Sequence, residues 1–247
     1  MRRALLLLAL LAPIGAGCGT TTKTVTVTTT VPSTTAPQQQ TTALRVYFLK
    51  DGKVQPVARE VPRTQAVAAA ALAELAKGPT EVERRDLSLA SAVQDSGSVT
   101  IENGVAHVSG SMSGLAQLVY TMTQFPTVEA VEVNGKRYTR AYFEDETPII
   151  AVESPLPFQH VTSPLRATGT ANTFEATFDY DLVDSSGKVV ATHFVTATSG
   201  NGQRGTFDFT VRFPDAKPGL GKLVVYERSA ANGQRIHQSE IPIDLEP

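Results

Sequence analysis

The chain has 247 residues, 41% of them hydrophobic and 19% charged, with a formal net charge of −2, no tryptophan and one cysteine. That apolar share supports ordinary packed cores, and the length suits two domains of common size. The mild acidic balance, with no basic stripe, gives no expectation of nucleic-acid binding, and one cysteine excludes a disulfide within the chain.

Met1-Arg2-Arg3 is followed by an apolar run from Ala4 to Ile14 and the small residues Gly15-Ala16-Gly17. A basic start, a short apolar core and a small-residue cleavage site are the parts of a secretory leader. The run is too short for a bilayer that needs roughly 20 apolar residues. Residues 1–17 therefore read as a lipoprotein signal peptide, and Cys18 as the lipidated first residue of the mature protein. Gly15 stands where such leaders usually carry leucine. Without the leader's two arginines, 20 basic residues face 24 acidic ones, a net charge of −4. The expected location is extracytoplasmic, anchored through Cys18 to the outer face of the cytoplasmic membrane; each buried lipid methylene contributes about 0.8 kcal/mol.

Residues 18–43 read as a disordered, threonine-rich linker. Of the 24 residues from Gly19 to Thr42, 12 are threonine, with Pro32, Pro37 and three consecutive glutamines among the rest. Too few apolar side chains are present to offset the entropy of ordering them. Fully extended, the segment reaches roughly 80 Å.

Residues 44–145 read as an α+β domain, a sheet with two helices. Leu44–Leu49 has strand character and Asp51-Gly52 is a turn. Thr64 is placed to cap a helix running to about Ala76, with Ala68, Leu72 and Leu75 on one face and Lys77, Gly78 and Pro79 ending it. The stretch Val99–Val108 reads as a hairpin turning at Asn103-Gly104. A second helix is expected over Ser113–Thr123, then a strand Val128–Val133 that turns at Asn134-Gly135 into Lys136–Tyr142. The acidic run Glu144-Asp145-Glu146 reads as a solvated hinge.

Residues 149–247 show period-two alternation and turn signals but no helical period. Phe174, Ala176, Phe178, Tyr180 and Leu182 form one face of a strand, and Phe207, Phe209, Val211 and Phe213 one face of another. Further strands are expected at Ile149–Val152, Leu165–Thr170, Val189–Val195, Leu220–Tyr226 and Ile236–Leu245. About seven short strands in this length argue for an all-β immunoglobulin-like sandwich without its cysteine pair. Gly200–Gly205 is glycine-rich but opens no helix, so it reads as a hairpin and not a phosphate loop.

Catalytic or metal chemistry finds little support in the residue pattern. His107, His160, His193 and His237 are scattered, with no metal-ligand spacing. Glu175, Asp179 and Asp181 share a strand face only because the strand period is two. Tyr120, Phe125 and Tyr142 are aromatic residues that read as core and could alternatively line a groove. No catalytic, cofactor or metal residue is assigned, and no small-molecule substrate.

Residues 44–142 resemble the GerMN domain of sporulation and spore germination. The resemblance rests on Arg45-Val46-Tyr47-Phe48, on Leu75-Ala76-Lys77-Gly78-Pro79-Thr80, and above all on the block from Gln117 to Val128 followed by Val131-Glu132-Val133-Asn134-Gly135. Residues 149–245 resemble the immunoglobulin-like domain of bacterial spore germination, through Ile150-Ala151-Val152-Glu153-Ser154-Pro155, Thr162-Ser163-Pro164, Gly169-Thr170-Ala171 and Phe174-Glu175-Ala176. The segment from Leu87 to Gly114 is compressed relative to the first pattern. The resemblance implies a non-enzymatic, membrane-anchored envelope protein whose domains meet another envelope protein or peptidoglycan. The rival readings are a modulator of a secreted enzyme, acting through a loop such as Ser199–Gly205, and a hydrolase of wall polymers.

Overall fold

The computed structural model describes residues 40–95, 97–110 and 113–247. The leader, Cys18 and nearly all of the threonine-rich linker lie outside the described residues. The first half is α+β as expected. Strands β1 (Thr41–Lys50) and β2 (Lys53–Pro62) form a two-stranded ribbon turning at Asp51-Gly52. Then come helices α1 (Val67–Lys77) and α2 (Glu81–Leu87), strands β3 (Ser98–Glu102) and β4 (Val105–Ser109), helix α3 (Leu115–Met122), and strands β5 (Ala130–Val133) and β6 (Lys136–Tyr138). The second sheet has the order β3-β4-β5-β6, with β4 and β5 parallel across the α3 crossover. Hairpin turns at Asn103-Gly104 and Asn134-Gly135 place all four residues at positive φ, as asparagine-glycine turns require.

Several elements depart from the sequence expectation. Strand β2 carries little strand signal in its residues, because its alternation is weak and it contains Pro56. Pro56 stands opposite Tyr47, whose N–H turns away from β2 to the Thr121 hydroxyl at 3.1 Å. The pair is thus a non-hydrogen-bonded one, and the proline's missing N–H removes no ladder bond. Thr64 does not cap α1: its hydroxyl accepts from the Ala66 N–H, and the helix begins one residue further on. The unforeseen helix α2 carries its own start signal, a capping box in which Thr80 and Glu83 exchange side-chain and backbone bonds. Residues Arg140–Glu146 form 3₁₀ turns where a strand to Tyr142 is expected.

Helix α3 does more than bury an apolar stripe. Gln117 and Thr121 of α3, and Gln124 in the turn just after it, line up against the open side of β1. The Gln117 amide donates to the Tyr47 carbonyl at 3.1 Å and accepts from the Ala92 N–H at 2.8 Å. The Gln124 amide accepts from the Arg45 N–H at 2.8 Å and donates to the Arg45 carbonyl at 2.5 Å. Three side chains thereby replace a neighbouring strand, satisfying backbone groups that would otherwise be buried unpaired.

The second half is an eight-stranded sandwich. Its strands are β7 (Ile150–Ser154), β8 (His160–Thr162), β9 (Leu165–Ala171), β10 (Thr177–Val183), β11 (Val189–Thr196), β12 (Gly205–Val211), β13 (Gly219–Arg228) and β14 (Arg235–Glu246). One sheet has the order β11-β10-β13-β14-β8 and the other β12-β9-β7. Between them lie Phe178, Tyr180, Leu182, Phe207, Leu223, Val225, Ile241 and Ile243. Strand β8, three residues long, is too short to show an alternation. Phe174 is 59% exposed, because 3₁₀ residues with Glu175 and Ala176 at positive φ break the strand pattern before it reaches the core. Residues Gly200–Gly205 are not a hairpin: β11 and β12 belong to different sheets, so the loop is an arch between them. Gly169 has a packing reason. A Cβ there would lie 2.1 Å from the Ala151 carbonyl oxygen and 2.6 Å from the Phe207 ring.

The α3 row carries a measurable load. Replacing Gln117 by leucine leaves the Tyr47 carbonyl and the Ala92 N–H without partners, so urea denaturation should show a loss of about 2 to 4 kcal/mol. An unchanged midpoint would mean that water or a local shift replaces the amide.

Candidate interaction surface

The two halves meet through exchanged charges. Glu153, on β7, accepts from the Arg45 guanidinium of β1 at 3.1 Å and also from Arg140. Arg140 lies over the Tyr120 ring, 4.6 Å from its centroid, and its Nε donates to the Thr123 hydroxyl at 2.7 Å. In return, Arg204 of the β11–β12 arch donates two bonds of 2.9 Å to the Glu144 carboxylate, and Asn172 adds a third at 2.8 Å. The hydrogen bonds from Arg204 hold the Glu144 carboxyl below the usual carboxylate range, burial opposing them only in part. Glu144 is therefore a clasp residue and not part of a solvated hinge, while Asp145 and Glu146 remain exposed. Burial pushes the Tyr47 hydroxyl well above the usual tyrosine range, reinforced by the neighbouring Glu153.

The histidines are engaged separately, on four different strands. His107 lies 3.3 Å from Glu132, His160 sits between Asp244 at 3.1 Å and Glu246 at 2.9 Å, and His237 meets Glu227 at 2.8 Å. Hydrogen bonds to Asp244 and Glu246 raise the His160 pKa above its ordinary value. Asp179 pairs with Arg228 at 2.7 Å and Asp181 with Arg235 at 2.6 Å, while Glu175 has left the strand. Among the described residues no group of three or more histidine, cysteine, aspartate or glutamate side chains is placed to hold a metal ion. Tyr120 lines a cleft of about 550 Å³ with Arg140 and Arg204. Phe125 lines a different groove of about 630 Å³ with Leu44, Arg45 and Leu156. Tyr142 is exposed and lines neither.

What the sandwich presents outward is the edge strand β11. It pairs with β10 alone, from Thr177↔Thr196 to Val183↔Val189, and its other side has no strand neighbour among the described residues. Phe194 and Val189 stand 58% and 47% exposed on it. The Phe194 N–H turns away from β10 and is met by its neighbour His193, whose Nδ1 accepts at 2.8 Å in the tautomer that leaves that nitrogen unprotonated. None of the eight residues from Val189 to Thr196 is an aspartate, glutamate, lysine or arginine. Among the described residues the other edges differ: β2 carries Lys53, Arg59 and Glu60, β3 Glu102, β6 Lys136 and Arg137, β7 Glu153 and β12 Asp208, leaving only the three-residue β8 comparable. Charges on edges oppose strand addition, and β11 lacks that protection. Phe194 is not singled out by alternation, which reads it simply as a strand residue. The uncharged run around it is the signal that marks it.

The start of β11 is fixed by Asp184, whose carboxylate accepts from the Ser186 hydroxyl at 2.6 Å and from the N–H groups of Ser186, Lys188 and Lys217. These bonds, the Ser186 hydroxyl foremost, lower its pKa from the ordinary 3.8 to about 2. A carboxyl depressed in the folded state stabilises the fold above its unfolded pKa, and the contribution fades as pH falls from about 4 toward 2. Acid titration of stability should therefore flatten in that window in Asp184→Asn, followed by circular dichroism. Glu153→Gln should weaken the clasp by about 2 kcal/mol and split urea unfolding into separate transitions of the two halves. A single unchanged transition would show that the clasp does not couple them.

Comparison with known families matches both halves. Residues 45–139 match the family model described as sporulation and spore germination. Residues 149–234 match that described as the immunoglobulin-like domain of bacterial spore germination. Among solved structures, the chain is similar to the tandem GerMN domains of the sporulation protein GerM from Bacillus subtilis, with 27% identity and a TM-score of 0.31, over 39% of this chain and 40% of that one. It is also similar to WR4, an MSP family member of C. elegans, with 19% identity and a TM-score of 0.23, over 39% of this chain and 95% of that one. Comparison with curated proteins gives no match. Residues 45–139 are thus a domain of the sporulation and spore germination family, and residues 149–234 one of the immunoglobulin-like family of bacterial spore germination.

Proposed function

We propose that this chain is a lipid-anchored envelope protein that works by binding, holding its two domains out from the outer face of the cytoplasmic membrane on the threonine-rich segment. The leader ending at Gly15-Ala16-Gly17 and the cysteine after it support the anchor. The uncharged edge β11, with Phe194 exposed, carries the binding reading: an open edge accepts another strand through main-chain hydrogen bonds, and side chains on alternate positions give selectivity. The clasp at Glu153 and Glu144 supports presentation of that edge from a fixed platform. The partner class is an envelope protein or peptidoglycan.

Two measurements test this. Metabolic labelling with a palmitate analogue should mark the parent and not Cys18→Ala, which should also leave the membrane fraction; equal labelling would remove the anchor. A photoreactive benzoylphenylalanine replacing Phe194 should form a defined adduct in intact cells, while the same group at Ile101, an exposed apolar position on β3, should not. No adduct from position 194 would remove the binding edge.

A further inference from the structure

We infer that the occupant of the β11 edge is a second copy of this chain, its β11 running antiparallel to the first across a two-fold axis. The inference rests on the reading of β11 as a binding edge and names its partner. In a two-fold antiparallel pair the same residues appear on both sides, so any charged residue near the centre meets its own kind. Like charges placed opposite each other are destabilising. An edge bearing a lysine or glutamate near its centre is therefore unsuited to self-pairing, and β11 is the long edge strand without one.

Backbone polarity fits as well. The Phe194 N–H points to the open side, where His193 accepts it. By the alternation of an antiparallel ladder, Thr192 and Thr196 present their backbone groups to that side too. A two-fold axis beside His193 pairs Thr192 with Phe194 of the second copy and sets Val190, the extra residue where the β10–β11 register shifts, opposite Thr196. The two central Thr192–Phe194 pairs, whose groups point outward, then become hydrogen-bonded pairs. The incoming carbonyl takes over the Phe194 N–H from the His193 ring, so nothing is left unpaired. The two Phe194 rings lie on the same face, diagonally across the axis, within the roughly 7–8 Å at which aromatic side chains still meet. Each covers apolar surface that the single chain leaves in water. Closed two-fold contacts of this kind end with two copies and build no fibre.

The chain's single cysteine permits a direct test. In the full-length chain carrying Cys18→Ser, light scattering should give twice the chain mass, and adding Phe194→Lys should reduce it to one chain mass while circular dichroism stays unchanged. His193→Cys in the same background should oxidise to a disulfide-linked dimer, because the position faces its own copy in a non-hydrogen-bonded pair, where Cα atoms are about 4.5 Å apart. A chain of single mass at every concentration, or a dimer indifferent to Phe194→Lys, would overturn the proposal. In that event the benzoylphenylalanine adduct separates the two levels. An adduct with a different envelope molecule keeps the binding edge and rejects the second copy, and no adduct rejects both.

Discussion

The row Gln117, Thr121 and Gln124 is the contact on which the rest of this structure depends. A ribbon of two strands has two open sides, and β1 is too deeply buried for water to satisfy one of them. Val46, Tyr47 and Phe48 are all at most 1% exposed. Polar side chains on α3 and in the turn that ends it supply the missing donors and acceptors, so this segment serves at once as core and as a surrogate strand. Apolar residues at those positions would pack but would leave Tyr47 and Arg45 with unpaired backbone groups, a cost of about 1–3 kcal/mol for each. The same requirement accounts for the polar residues inside an otherwise apolar helix.

The coupling between the halves starts from that row. Gln124 grips the Arg45 backbone while the Arg45 side chain reaches Glu153, and Arg140 joins the same carboxylate after bonding Thr123 of the helix end. Helix α3, strand β1 and strand β7 therefore form one continuous polar connection. The second connection, from Arg204 to Glu144, runs in the opposite charge sense. Partly buried ion pairs of this kind contribute modest net stability but penalise arrangements that separate them, because each partner left alone remains poorly solvated.

Edges are treated in two ways in this molecule. The open side of β1 is covered from within the chain, and most other edges carry charge. Strand β11 has neither protection. Phe194 on it is exposed, and the Asp184 turn and the Arg204 arch hold the two ends of the strand. An unprotected edge on a rigid support is a feature of binding modules and a hazard for a chain with no partner.

The local elements were largely legible in the residues. Asparagine-glycine turns, the Lys77-Gly78-Pro79 stop and the alternation around Phe178 and Phe207 all depend on short-range backbone chemistry, and each lies where the sequence places it. The capping box at Thr80 was legible too, though it marks a helix that hydrophobic period alone misses. Strand β2 and the exposed Phe174 were not legible, since Pro56 is harmless only because Tyr47 faces α3, and Phe174 leaves the core only because positive φ at Glu175 redirects the chain. The sequence by itself determined the fold class and the order of the two domains, since composition, period and local signals suffice for those. Only the tertiary structure decided which edge stays open, which carboxylates are clasped and what Gln117 and Gln124 do, because each depends on partners up to 108 residues away that no local pattern records.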